Sequence, residues 1–167
     1  MLIKRILVPV DFSPNSLAAL DYAADFSKPF KAEIALLFVV EPIYYTVPDF
    51  AGGASPAMAA LLDEQIRSGR AQLLRLEQRY SRRRLKLRAL LQTGTPHQAI
   101  VDTANQIKVD LIIMATHGRT GVSHLLLGSV SERVVRAATC PVLTLRPGQK
   151  GVRARKRPSD KKKRTRR

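Results

Sequence analysis

The chain contains 167 residues, of which 45% are hydrophobic, so it is long enough for one globular domain with a substantial core. Its single cysteine, Cys140, excludes an internal disulfide and a cysteine-based metal site, which favours a reducing compartment. The apolar run at residues 6–10 is too short for a signal peptide or a membrane span, so we expect a soluble cytoplasmic protein.

The formal net charge of +16 is concentrated near the C-terminus. Residues 147–167 carry eleven basic side chains and one acid, Asp160, whereas the preceding 146 residues carry 18 basic and 12 acidic side chains. The tail therefore contributes +10 and the body +6. We expect a folded domain over residues 1–147 and a disordered basic tail over residues 148–167, because the tail has almost no apolar residues.

Five short apolar segments predict β-strands. In chain order they are residues 3–10, 33–40, 85–91, 110–115 and 142–145. The second and fourth contain the near-continuous apolar runs IALLFVV and LIIMA. Such runs are typical of strands buried on both faces, as in a parallel sheet.

Segments with helical spacing of apolar residues alternate with these strands. The four stripes are Leu17, Leu20 and Ala24; Leu62, Ile66, Leu73 and Leu76; Ile100, Ala104 and Ile107; and Val130, Val134 and Ala138. Strands that alternate with helices predict a three-layer α/β domain, in which helices cover both faces of a five-stranded parallel sheet.

Local capping chemistry marks the predicted helix starts. Three hydroxyl–proline pairs offer an N-cap followed by proline at the first helical position: Ser13–Pro14, Ser55–Pro56 and Thr95–Pro96. Two pairs also match the capping box, Thr95 with Gln98 and Ser129 with Glu132.

The segment EPIYYTVPDFAGGA, residues 41–54, is a predicted surface loop. We favour packing of its Tyr44, Tyr45 and Phe50 onto the domain over a role in covering a pocket or a partner.

Two loops follow the ends of predicted strands, where an open parallel sheet binds ligands at the reversal of its strand order. Residues 9–13 follow the first strand, and the stretch MATHGRTGVSHLLLGSVSE, residues 114–132, follows the fourth. In the second loop, Gly118, Gly121 and Gly128 allow close approach of backbone to a ligand, and Arg119 could contact phosphate. The helix N-terminus at Ser129, Val130 and Ser131 offers unpaired N–H groups to a phosphate.

Other interpretations of these residues stay open. Ser129 could act only as a helix cap, and Asp11 could cap the first helix or orient its loop. His117 and His124 are more typical of surface or structural histidines, Leu125–Leu127 of an apolar patch beneath the loop, and Cys140 of a small buried residue. The chain lacks the P-loop motif, and it lacks the Gly-x-Gly-x-x-Gly fingerprint of dinucleotide binding.

Taken together, the stretches KRILVPVDFSPNSLAALDYA and LIIMATHGRTGVSHLLLGSVSERVVRAATCPVLTLRP resemble the universal stress protein family, of the adenine nucleotide alpha hydrolase-like superfamily. Nucleotide-binding members show Gly-x-x-Gly, nine residues, then Gly-Ser/Thr. Gly118 and Gly128-Ser129 match the second part, but Ala115 stands where the full motif has glycine. The resemblance implies a Rossmann-like or flavodoxin-like sheet of order 3-2-1-4-5.

The resemblance also implies a nucleotide site. Asp11 would lie near the base or ribose, Val40 near the adenine, and the helix start at the phosphates. The full set of implied contacts is Pro9, Val10, Asp11, Val40, Met114, Ala115, His117, Gly118, Arg119, Gly121, Gly128, Ser129, Val130 and Ser131. If position 115 needs a positive φ, alanine costs about 1–2 kcal/mol, or roughly five- to thirtyfold in affinity. If position 115 needs only clearance for the ribose or phosphates, a small shift accommodates the alanine methyl group.

We therefore expect a homodimeric stress protein that binds ATP, AMP or ADP, with or without Mg²⁺, as a regulatory ligand. The last strand, Val142 to Leu145, would pair with its two-fold mate, since an uncovered apolar edge invites pairing. A slow ATPase that uses Asp11 and His117 is one alternative, and no efficient enzyme is expected. Another is a stress protein that binds no nucleotide and acts through its tail on nucleic acid or an acidic partner.

Overall fold

The computed structural model describes residues 2–42, 56–81, 85–116 and 128–146. Five strands form one parallel sheet of order β3-β2-β1-β4-β5, which confirms the predicted fold. The strands are β1 (Arg5–Val10), β2 (Glu33–Val40), β3 (Leu87–Thr93), β4 (Leu111–Ala115) and β5 (Val142–Leu145). The helices are α1 (Pro14–Ser27), α2 (Pro56–Ser81), α3 (Pro96–Gln106) and α4 (Ser129–Ala137), with a short 3-10 turn at Lys28–Phe30.

The helices cover the sheet on both faces, so the core has two halves. On one face, Leu20 of α1 and Leu73 of α2 pack with alternate strand residues such as Ile6 and Ile34. On the other face, Ile100 of α3 and Val134 of α4 pack with another set, which includes Leu7, Leu37 and Ile112. Burial of both strand faces explains why the second and fourth strands are apolar without alternation.

Three strands differ from the prediction at their boundaries: β1 and β3 begin two residues later, β4 begins one residue later, and β3 also ends two residues later. β1 begins at Arg5 because the backbone N–H groups of Lys4 and Arg5 donate to the Asp110 carboxylate, at 2.7 and 2.8 Å. β3 runs two residues further than predicted, to Thr93, because β2 offers it partners as far as Val40. The start of β1 and the end of β3 thus depend on contacts between segments that are distant in sequence, which local apolarity does not encode.

The predicted caps have mixed outcomes. Ser13 caps α1, since its side chain accepts the N–H of Ser16 at 3.3 Å. Thr95 is the N-cap residue of α3, but its side chain makes no capping hydrogen bond. The predicted capping box of Thr95 with Gln98 is therefore wrong in its threonine half. The capping box of Ser129 with Glu132 is also wrong. Gly128 is the N-cap, Ser129 is the first helical residue, and Glu132 pairs with Arg136 at 2.9 Å.

Candidate functional site

A cavity of about 400 Å³ opens at the carboxyl ends of β1, β2 and β4. The strand order reverses between β1 and β4, which pair in register only at Ile6 with Leu111 and Leu7 with Ile112. Both strands continue beyond this pairing, so a crevice is available between their carboxyl halves. This is the position at which open α/β sheets bind ligands, and the volume suits a small organic molecule.

The junction between β4 and α4 forms one end of the cavity. The N–H of Gly128 donates to the carbonyl oxygen of Thr116 at 2.8 Å, and a Cβ at position 128 would lie 2.5 Å from that oxygen. The hydroxyl of Ser131 lies 3.0 Å from the Thr116 oxygen and 2.8 Å from the Gly128 oxygen, to which it donates. Glycine is therefore required at position 128 by the close approach of backbone.

The first turn of α4 presents backbone donors to the cavity. The first hydrogen bond of the helix runs from the N–H of Glu132 to the oxygen of Gly128, at 2.9 Å. The N–H groups of Ser129, Val130 and Ser131 consequently have no acceptor within the helix, and all three residues line the cavity. Such a terminus can bind an anionic group through its donors and its dipole.

The loop from β1 to α1 borders the cavity beside this end. The carboxylate of Asp11 accepts the N–H of Ser13 at 3.0 Å, and the Ser16 hydroxyl donates to the Ser13 carbonyl at 3.0 Å. Phe12 between them has a φ of 62°, a left-handed conformation that is costly for an aromatic residue. Its ring packs on Phe38 with centroids 4.6 Å apart, and this contact helps to stabilise the turn.

The other end of the cavity is apolar. Leu37 and Val39 of β2 and Ile100 of α3 line this end, and Met114 of β4 and Val130 of α4 continue the apolar lining toward the donor end. Glu41, which follows β2, is exposed at the rim of this end. An apolar wall opposite a set of backbone donors suits a ligand with one flat, uncharged part and one anionic part.

Most of the residues expected at the site line the cavity. Nine of them do so: Pro9, Val10, Asp11, Met114, Ala115, Gly128, Ser129, Val130 and Ser131. Val40 does not, because alternation along β2 directs Leu37 and Val39 toward the cavity, and Val40 is 2% exposed on the other side of the strand. His117, Gly118, Arg119 and Gly121 lie outside the described residues, as do His124, Leu125–Leu127, Tyr44, Tyr45, Phe50, Ser55 and the tail.

Sequence reasoning missed several lining residues, namely Ser16, Leu37, Val39, Glu41, Pro96, Ile100 and Thr116. Strand alternation could have identified Leu37 and Val39, since they share a face with each other and not with Val40. Pro96 and Ile100 lie in the first two turns of α3, which begins at the carboxyl end of the strands, as α1 and α4 do. Which helix starts border one cavity depends on strand order, so no local pattern identifies these residues.

Ala115 occupies the last position of β4 and pairs in register with Leu145. It is absent from the residues with positive φ, which in the described part of the chain are Phe12, Lys31, Lys108 and Gly94. The strained interpretation of this alanine is therefore wrong. Only its methyl group distinguishes it from the glycine of the motif, so its effect on a ligand depends on the room that the methyl group leaves.

The two described groups with displaced pKa values lie away from the cavity. Hydrogen bonds from the backbone N–H of Arg5 and then of Lys4 hold the pKa of Asp110 below its usual range, at the opposite, amino end of the sheet. Burial raises the pKa of the Cys140 thiol, so the thiolate is disfavoured there.

Among described residues there is no group of three or more potential metal ligands, and no helix there is long and apolar enough to cross a membrane.

Comparison with known proteins identifies relatives of this architecture. Residues 2–146 match the model of the universal stress protein family. Universal stress protein MJ0531 of Methanocaldococcus jannaschii is 35% identical over 150 residues, which cover 89% of this chain and 85% of the relative. The solved structure of universal stress protein UspA from Lactobacillus plantarum is 28% identical, has a TM-score of 0.77, and covers 87% of this chain and 99% of that one.

Two more distant solved structures share the fold and contain a nucleotide. A universal stress protein in complex with cAMP is 23% identical with a TM-score of 0.63, covering 87% of this chain and 98% of that one. A family member from Arabidopsis thaliana with AMP bound is 20% identical with a TM-score of 0.60, covering 86% of this chain and 91% of that one.

Proposed function

Because the chain belongs to the universal stress protein family, we propose that it binds an adenine nucleotide as a regulatory ligand in a stress response. The observation that carries this proposal is the cavity at the strand-order reversal, with an apolar wall at one end and the first-turn N–H groups of α4 at the other. A nucleoside phosphate has the matching division into a flat base and an anionic group.

The spacing of the strands supports this orientation. Neighbouring strands are about 4.8 Å apart, so the end of β2 lies roughly 10 Å from the end of β4, with β1 between them. The base would contact Val39 and Met114, the ribose would lie beside Asp11, and a phosphate would accept from Ser129 and its neighbours. Fold neighbours that contain AMP and cAMP lend support to an adenine ligand.

Substitution of Ser129 tests the role of the helix start. Ser129→Pro removes one N–H donor at the first position of the helix, a position that accepts proline. Gly128 before it has φ −58° and ψ 148°, the extended conformation that proline favours in the preceding residue. Ser129→Ala removes the hydroxyl and keeps the N–H. We expect Ser129→Pro to weaken AMP binding about tenfold by calorimetry and Ser129→Ala to weaken it less.

Three outcomes decide the proposal. Weaker binding by Ser129→Pro with an unchanged melting temperature supports the helix-start site. Equal effects of the two variants would assign the contact to the hydroxyl instead. Absence of AMP and ATP binding by the wild-type chain at millimolar concentration would refute nucleotide binding and favour a family member that acts through its partners.

We propose that the nucleotide is a ligand and not an efficiently processed substrate, and that the protein acts in the cytoplasm. Fast phosphoryl transfer needs an oriented nucleophile and a held metal ion, and the described lining residues offer only Asp11 and Glu41 as carboxylates. ATP turnover in the presence of Mg²⁺ tests the first part. Hydrolysis well above the background rate that is lost in Asp11→Asn would show an enzyme.

We also propose a homodimer through β5. The two edges of the sheet differ, because Glu77 of α2 accepts the outward N–H of Ala89 on β3 at 3.4 Å. On β5, by contrast, the carbonyls of Pro141 and Leu145 bond to β4, so that the N–H groups of Val142 and Thr144 point outward. An edge with outward donors and apolar side chains favours pairing with a second copy.

A further inference from the structure

Two successive contacts connect α2 with the loop between β1 and α1. The ring of Phe12 in this loop packs on the ring of Phe38 in β2, with centroids 4.6 Å apart. Phe38 in turn adjoins α2 at Gly69, where an added Cβ would lie 2.6 Å from Cδ1 of the ring and closer still to Cε1. Gly69 is buried, and no residue of α2 before it is. From its N-terminus, α2 is therefore first held against the sheet where it meets Phe38.

These contacts lie on the face of the sheet opposite to the cavity wall. Phe12 and Phe38 pack against the half of the core that α1 and α2 cover. Leu37 and Val39, on either side of Phe38 in β2, belong to the other half and line the cavity. Phe12, Phe38 and Gly69 themselves do not line it. The contacts therefore influence the cavity indirectly, through the loop that contains Phe12.

The conformation of Phe12 determines the shape of that loop. Its φ of 62° is left-handed, which a non-glycine residue adopts roughly five- to thirtyfold less often than the right-handed conformation. In this turn the Asp11 carboxylate accepts the Ser13 N–H at 3.0 Å, and the Ser16 hydroxyl oxygen accepts the Asp11 N–H at 3.3 Å. Asp11 and Ser16 both line the cavity. Their placement thus depends on a backbone conformation that the packing of the Phe12 ring has to stabilise.

We propose that Phe12 is a positioning residue of the nucleotide site, and that α2 holds its ring in place through Phe38 and Gly69. This inference rests on the proposed nucleotide site and assigns to it a regulatory element, the helix α2. A ligand that binds only the left-handed turn also favours the position of α2 that supports this turn. Occupancy of the cavity is in this way coupled to a helix at the surface of the molecule.

Two substitutions of Phe12 separate positioning from simple packing. Phe12→Ala removes the ring but keeps a Cβ, so the left-handed turn stays costly, whereas glycine in Phe12→Gly adopts positive φ as readily as negative φ. Apparent affinity falls in proportion to the fraction of molecules whose loop can bind. We therefore expect Phe12→Ala to weaken AMP binding roughly five- to thirtyfold, and Phe12→Gly to weaken it less than about threefold. Packing alone predicts the reverse order or no difference.

Gly69→Ala tests the role of α2 from outside the cavity. The new methyl group displaces the Phe38 ring, so that this ring no longer supports Phe12, and we expect AMP binding to weaken about threefold or more. In the Phe12→Gly background there is no ring to support, so Gly69→Ala should have no further effect on affinity. Tyr80→Phe is the matched control, because it removes a different contact of α2, the hydrogen bond to Asp21 at 2.7 Å.

The experiment measures AMP affinity by calorimetry and the melting temperature, on the full chain and each variant. Tyr80→Phe should lower the melting temperature and leave AMP affinity within about twofold of wild type. Equal weakening by Phe12→Ala and Phe12→Gly, with wild-type binding intact, would overturn the positioning role. A lower melting temperature of Gly69→Ala with unchanged AMP affinity would show that α2 moves and not the ring, which would overturn the role of α2. Absence of AMP binding by the wild-type chain would refute the proposed function itself.

Discussion

Gly128 donates its backbone N–H to the carbonyl oxygen of Thr116 at 2.8 Å, so the residue after β4 directly contacts the residue before α4. Residues 117–127, which separate the two in sequence, lie outside the described part of the chain. The contact brings the first turn of α4 to the carboxyl end of the sheet and thereby determines where its free N–H groups point. The donor end of the candidate site, at the first turn of α4, depends on this pair.

Gly128→Ala should disturb both the fold and the site. The added Cβ would meet the Thr116 oxygen at 2.5 Å, and backbone atoms on both sides leave little room to shift. We expect a loss of about 1–3 kcal/mol in the free energy of unfolding, measured by urea denaturation, together with weaker AMP binding. Ser129→Ala is the matched control on the next residue. Unchanged stability of Gly128→Ala would contradict the close approach.

Ala115→Gly tests the residue that departs from the nucleotide-binding motif. Because Ala115 has ordinary strand geometry, the glycine variant relieves no backbone strain. We expect it to lose about 0.5–1 kcal/mol of stability, as glycine does within strands, and to change ATP affinity in the presence of Mg²⁺ less than fivefold. A gain of thirtyfold in a binding titration would show that the methyl group blocks the ligand.

Thr144→Pro should convert the proposed dimer to a monomer. Thr144 directs its N–H away from β4, so proline removes an edge donor and leaves the pairing with β4 intact. Thr93→Pro makes the same change on the opposite edge strand, where the N–H also points outward. We expect analytical ultracentrifugation to find a dimer for wild type and Thr93→Pro, and a monomer for Thr144→Pro. A wild-type monomer at micromolar concentration would argue against the interface.

Tyr80→Phe should weaken the attachment of α2 to α1. The Tyr80 ring is 1% exposed, and its hydroxyl donates to the Asp21 carboxylate at 2.7 Å. Removal of this donor from a carboxylate should cost about 1–3 kcal/mol in the free energy of unfolding. Tyr22→Phe on α1 is the control, since Tyr22 is only half-buried. Equal losses in the two variants would indicate that the hydrogen bond contributes little.

Asp110 should make stability depend on acid pH. Hydrogen bonds from the N–H groups of Arg5 and Lys4 lower its pKa, so the folded state favours the carboxylate. This contribution is fully present above the ordinary pKa of an aspartate, about 4, and is lost as pH falls through the folded value. The stability difference between wild type and Asp110→Asn should therefore shrink between about pH 5 and 2. A difference that stays constant over that range would contradict the assignment.

The secondary-structure elements could be predicted from local chemistry, whereas most of the expected site residues came from the resemblance to the universal stress protein family. Apolar runs identify β2 and β5 to the residue, and Ser13–Pro14 identifies the start of α1. The caps at Thr95 and Ser129 were harder to predict, since a hydroxyl at a helix start is compatible with several roles. The Thr116 carbonyl, which Gly128 and Ser131 both contact, is distant from them in sequence and decides the start of α4.

The sequence by itself determined the α/β class, the two candidate loops and the family resemblance, since these depend on residue type and spacing along the chain. Only the tertiary structure decided which side chains share the cavity. It directs Val39 toward the cavity and Val40 away from it, gives Ala115 a strand conformation, and brings Asp11 and Glu41 into the lining of one cavity. The physical reason is that orientation and proximity are set by pairing between distant strands, which no single segment of the chain contains.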